Sequence, residues 1–126
     1  MKFQPDTFAG TNAISRHEPG AVWVNNQRFE GSLLVPWKGV VRPWSAQGHA
    51  TLTAGHFSEV LALEPELVIF GSGARLRFIS AALYRCLIEA RVGFETMDTA
   101  AACRTYNVLA AEGRSVVAAL LPGSVD

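Results

Sequence analysis

The sequence predicts a single α/β domain with a mixed sheet, built from an N-terminal antiparallel hairpin part and a C-terminal βαβαβ part with parallel strands. Three observations carry this. Short apolar runs at 67–70, 94–97 and 116–121 alternate with segments of helical periodicity, the order that joins parallel strands through right-handed crossovers. The first third holds strand formers separated by turn residues, as in hairpins. The length, 126 residues with 49% hydrophobic, suits one domain with a sizeable core.

Taken in order, residues 1–11 read as a loosely held arm, with Phe3 and Phe8 as anchors, and the domain core spans about 12–122. Ile14 to His17 is a short strand closed by the turn pair Pro19-Gly20. Ala21–Val24 and Phe29–Val35 follow as strands, joined through Asn25-Asn-Gln27, where asparagine tolerates positive φ. Val40 and Val41 suggest another short strand, framed by Val35-Pro-Trp37 and Arg42-Pro-Trp44. Proline cannot donate to a ladder, so both tripeptides are expected at a sheet edge. Residues 45–53 are polar loop, and a helix is expected over Gly55–Leu63 with Phe57, Val60, Leu61 and Leu63 inward.

Leu67–Phe70 is the next strand, and Gly71-Ser-Gly73 a tight turn after it. Ser80 is expected to cap a helix from about Ala81 to Arg91, which Gly93 ends. Phe94–Met97 is a strand, and Asp98 and Thr99 supply cap oxygens for a helix to about Ala111. Its buried face is Ala102, Tyr106, Leu109 and Ala110. Gly113 takes the left-handed exit conformation. Val116–Leu121, apolar without alternation, reads as a strand covered on both faces, and Pro122 stops it.

Eleven basic and eleven acidic residues cancel, which argues against nucleic acid as a partner. No run is long enough for a membrane span, and the start, Met1-Lys-Phe-Gln-Pro-Asp, lacks the apolar core of a signal peptide. Cys86 and Cys103 both fall on predicted helices, as inert thiols of a reducing compartment. A soluble cytoplasmic protein is expected.

Several motifs together carry a resemblance. They are Pro65-Glu-Leu-Val-Ile-Phe-Gly-Ser-Gly73, Arg77-Phe78, Met97-Asp-Thr-Ala-Ala-Ala-Cys-Arg-Thr-Tyr-Asn-Val-Leu109, Glu112-Gly-Arg114 and Arg28-Phe-Glu-Gly-Ser32. Over roughly residues 12–122 the chain resembles the family of small domains of unknown function that includes mitochondrial complex I assembly factor three and the adipogenesis-associated domain protein. The resemblance implies a compact α/β domain without bound metal or cofactor, acting through protein contacts. It carries over no catalytic residues, and the mitochondrial role is not expected here, since residues 1–11 do not read as an Arg-rich transit segment.

No established catalytic motif is present. Gly71, Ser72, Gly73, Asp98 and Thr99 sit where parallel strands end, the place where open α/β sheets bind ligands. Together with Arg104 they are the candidate site for a small anionic ligand, with Arg75 and Arg77 as further donors. The glycines do not complete a dinucleotide fingerprint, and the plainer reading is that they allow a tight turn and close packing. Cys103 beside Arg104 is a candidate low-pKa thiol, against a buried inert one. His17, His49 and His56 lack metal-ligand spacing. Trp37 and Trp44 are candidate partner contacts if they lie on an exposed edge, or core covers if they do not. The reading favoured is a protein-interaction or assembly-factor-like module with a protein partner. The alternative is a small-molecule binding protein or enzyme at the Gly71–Gly73 and Asp98–Thr99 crevice.

Overall fold

The computed structural model describes residues 10–124; Phe3 and Phe8 lie outside them. Twelve elements follow in order: β1 (Ile14–Glu18), β2 (Ala21–Val24), β3 (Gln27–Glu30), β4 (Leu33–Pro36), β5 (Arg42–Pro43), a 3-10 turn (His49–Thr51), α1 (Ala54–Leu61), β6 (Leu67–Gly71), α2 (Arg85–Glu89), β7 (Gly93–Met97), α3 (Thr99–Ala111) and β8 (Val116–Leu120). They form a mixed α/β domain with two sheets, one of three strands in order β1-β2-β3 and one of five in order β5-β4-β8-β6-β7. The small sheet is antiparallel throughout. In the large one β6 runs parallel to both β7 and β8, and β4 is antiparallel to β8.

The chain steps from β6 out to β7 and back over β6 to β8. Right-handed crossovers in opposite directions place their helices on opposite faces, and the large sheet is accordingly covered twice. Alternate residues divide between two cores. Ile69, Val116, Ala118 and Leu120 join Ala102, Cys103, Tyr106 and Ala110 of α3 and Ile14, Val22 and Val24 of the small sheet. Val68, Phe70, Val117, Ala119 and Leu121 join Phe57 and Val60 of α1 and Leu87 of α2. A strand buried on both faces needs no polar positions, which is why 116–121 is apolar without a break.

The small sheet docks onto α3 through side-chain amides. Asn107 accepts from the Ile14 N–H at 2.8 Å and donates back to the Ile14 carbonyl at 2.8 Å, standing in for a neighbouring strand. Tyr106 donates its hydroxyl to the Asn12 carbonyl at 2.8 Å. Asn12 is buried, and its amide donates to the carbonyls of Pro36 and Gly39.

Turn and cap chemistry follows the residues. Asn25 and Asn26 have φ of 53° and 70°, the pair of positive values that a two-residue hairpin turn needs. Asp98 accepts from the Ala101 N–H at 2.8 Å as N-cap of α3, and Gly113 leaves that helix at φ 84°.

Several expectations are corrected. The strand expected over 29–35 is two, because Gly31 at φ 79° breaks the extended run and carries the chain from one sheet to the other. The strand expected at Val40-Val41 lies at Arg42–Pro43, and Val40 is 72% exposed. Pro43 is on the edge strand, but Pro36 ends β4, an interior strand. Its missing donor is harmless there because the Trp37 N–H takes up the ladder, donating to the Val116 carbonyl at 2.9 Å. The helix expected over 81–91 is regular only at Arg85–Glu89, since Ala81–Tyr84 form turns that set Tyr84 flat on Phe94, centroids 4.0 Å apart. Arg91 at φ 62°, not Gly93, makes its exit; Gly93 opens β7, where a Cβ would meet Leu67 Cδ1 at 2.8 Å. Of the arm expected at 1–11, Thr11 already bridges to Lys38.

Candidate functional site

The ends of β6 and β8 and the start of α3 converge, as the crossover pattern requires. Gly71 is there because the strand passes too close for a side chain: a Cβ would meet Leu120 Cδ2 and Thr99 Oγ1, each at 3.0 Å. Thr99, 4% exposed, ties three segments together. Its hydroxyl accepts from the Gly73 N–H at 2.9 Å and donates to the Leu121 carbonyl at 2.7 Å, while its own N–H donates to the Gly73 carbonyl at 2.9 Å. Ser72 is fully buried. Its hydroxyl donates to the Arg75 carbonyl at 2.7 Å and accepts from the Arg77 N–H at 3.0 Å, pinning the next turn.

The six residues of the expected anion crevice are thus only partly gathered. A cleft of about 370 Å³ opens here, lined by His17, Glu18, Pro19, Gly73, Ala74, Thr99, Ala100 and Gly123. Gly73 and Thr99 are in that lining; Gly71, Ser72, Asp98 and Arg104 are not. The carboxylate of Asp98 is engaged by the α3 backbone, and Arg104 is exposed. His17 and Glu18 are the titratable side chains of the cleft, and sequence reasoning missed them. They end β1, and the turn that follows lies against Gly123, where a Cβ would be 3.4 Å from the Pro19 backbone. No local pattern around residue 17 signals that approach.

A second cleft, of about 330 Å³, lies between the small sheet and the 39–41 loop, with Val24, Phe29 and Val41 as apolar wall and Asn12, Asn25 and Gln27 as polar rim.

Cys103 is buried, and desolvation pushes its thiol up to about 12 despite the opposing charge of Arg104. It is protonated and inert near neutral pH. Burial also pushes the Tyr106 phenol upward. His56 accepts from the Thr53 N–H at 3.0 Å in a capping box, and His49 lies 3.1 Å from the Phe78 carbonyl. Among the described residues no cluster of three or more His, Cys, Asp or Glu is arranged to hold a metal ion.

Trp44 is corrected as a partner contact. It is 4% exposed, meets Phe57 and Phe70 edge-on at 5.6 and 6.1 Å, and donates from Nε1 to the His56 carbonyl at 3.0 Å. The edge strand β5 is only two residues long, so the chain after Pro43 turns this ring inward over the second core. Trp37 is half-buried against the first core, with Lys38 Nζ 4.6 Å above its ring.

Comparison with known proteins adds the family. The description "protein of unknown function (DUF498/DUF598)" matches residues 14–121. The chain belongs to this family. It is 33% identical over 111 residues to human NADH dehydrogenase [ubiquinone] 1 alpha subcomplex assembly factor 3, covering 86% of this chain but 60% of that protein. The chain thus spans about 60% of the human relative's length. An uncharacterised protein of Rhodobacter capsulatus is 36% identical over 115 residues, covering 91% of this chain and 88% of that one. Among solved structures, a Bordetella parapertussis protein superposes with a TM-score of 0.85 at 38% identity, over 90% of this chain and 97% of that one. Among the described residues no helix is long and apolar enough to cross a membrane.

Proposed function

We propose that this family member works as a protein-interaction module of the assembly-factor kind, binding a protein partner rather than turning over a substrate. The similarity to complex I assembly factor 3, which extends over 86% of this chain, carries the reading. The chemistry at the strand ends supports it. Ser72, Asp98 and Thr99, the polar side chains that the alternative would spend on a ligand, are used by the fold's own backbone. Trp37 remains a candidate contact. Two unbridged cysteines, one fully enclosed, fit a reducing compartment such as the cytoplasm. Affinity purification of the tagged protein from its host, followed by native mass spectrometry, tests the proposal. A protein recovered at fixed stoichiometry, and again when that protein is the bait, is expected. Recovery of the chain with a bound small molecule and no protein would refute it.

The second reading, a small-molecule site, rests on the cleft between His17, Thr99 and Ala100. A metabolite panel in a thermal-shift assay tests it, with loss of the shift on His17→Ala as the expected outcome and no stabilising compound as the refuting one.

A further inference from the structure

The crossover between β6 and β7, residues 74–91, differs from the rest of the chain in charge. It holds four arginines, at 75, 77, 85 and 91, against one acid, Glu89; the remainder holds seven basic and ten acidic residues. A neutral protein therefore has a local excess of three positive charges in one connection. The same connection carries three of the five exposed large hydrophobic side chains among the described residues: Leu76 at 49%, Phe78 at 73% and Ile88 at 52%. Its inward positions are occupied, since Ile79, Leu83, Tyr84 and Cys86 pack on the second core and Leu87 is fully buried. Arg75, Arg85, Arg91 and the three apolar side chains are exposed, and Arg77 is half-buried.

This surface is held in shape before anything binds. The Ser72 hydroxyl bonds to the backbone of both Arg75 and Arg77, and the His49 ring meets the Phe78 carbonyl. An ordered strap loses little conformational freedom on association.

We propose that the 74–88 strap is the docking surface for an acidic protein segment that carries apolar side chains. This rests on the reading of the chain as a protein-interaction module and names the partner's chemistry. Phe78 and Leu76 are the apolar anchors, and Ile88 is a further exposed apolar side chain of the same connection. Arg77 and Arg85 select the partner, because planar guanidinium groups pair with carboxylates in a fixed fork geometry. Aromatic and arginine side chains are also the residue types that dominate binding energy at interfaces.

The test is selection from a random peptide display library against the purified full chain, followed by fluorescence anisotropy on the selected peptides. Enriched peptides are expected to combine an excess of Asp and Glu with aromatic or aliphatic residues. Raised salt should weaken their binding. Phe78→Ser and Arg85→Glu should each weaken it about tenfold or more, with melting temperatures unchanged, since both residues are exposed. Enrichment without acidic excess, binding that survives both substitutions, or no enrichment would overturn the proposal. So would co-sedimentation with phosphatidylglycerol vesicles through these residues in place of peptide binding, which would assign a membrane. A dimer in sedimentation that Phe78→Ser dissociates would overturn it by assigning a second copy. A partner found by affinity purification and retained by both variants would remove this surface and leave the interaction reading standing; failure to find any protein partner would remove both.

Discussion

Replacing Thr99 by valine removes one oxygen and keeps the side-chain shape. That oxygen serves two strand ends, accepting from Gly73 and donating to Leu121 at 2.9 and 2.7 Å inside a site only 4% exposed. Two net hydrogen bonds are worth about 1 kcal/mol each, and each buried group left unpaired costs about 1–3 kcal/mol, so Thr99→Val should destabilise by about 2–4 kcal/mol. Thr99→Ser keeps the oxygen and loses a methyl group, at about 1 kcal/mol. Urea unfolding followed by circular dichroism separates the two: the midpoint should fall further for valine than for serine, at unchanged slope. The comparison also bears on function. If the hydroxyl were held for a ligand and not for the fold, valine would melt like the wild type. A valine variant as stable as the serine variant would refute the structural role of this residue.

Gly113→Ala should cost about 1 kcal/mol in a chemical melt, purely from backbone strain at φ 84°, because the space around the added Cβ is empty; no loss would contradict the left-handed exit. Trp44→Ala should lower stability by about 3–5 kcal/mol, through loss of its aromatic contacts and its bond to His56. Trp37→Ala, half-buried, should cost under about 2 kcal/mol, and equal losses in thermal melts would count against this assignment. Cys103 should react slowly with a thiol reagent in the native state and rapidly once unfolded, because burial holds its thiol near 12. The folded form keeps its proton longer than the unfolded one, so this group's contribution to stability is present below about pH 9 and is lost as pH rises toward 12. Urea midpoints across that range should fall less for Cys103→Ala than for the wild type.

Legibility in the sequence depended on the range of the forces involved. The hairpin turn at Asn25-Asn26, the Asp98 cap, the Gly113 exit and the doubly covered strand at 116–120 are decided by neighbours within a turn or by the local apolar pattern. The βαβαβ order, and with it the two-faced sheet, follows from those local elements by the handedness of crossovers. Cys103 was legible as an inert thiol for the same reason, since it sits one position from the buried stripe of α3.

Tertiary structure decided what depends on distant partners. Whether Trp44 is an anchor or a core residue turns on Phe57 and Phe70, and the tripeptide around it looks the same in either case. The roles of Ser72 and Thr99 were set by which backbone groups the fold left unpaired beside them. His17 entered the cleft from the far end of the chain, and the turn after it lies against Gly123. By itself the sequence determined the order of the strands and helices from 67 onward and the faces of α3 and β8, because helix and strand periodicity are read from consecutive residues. Only the folded structure decided which polar groups are spent on the chain itself and which still face outward, because that account closes only when every buried donor and acceptor has met its partner.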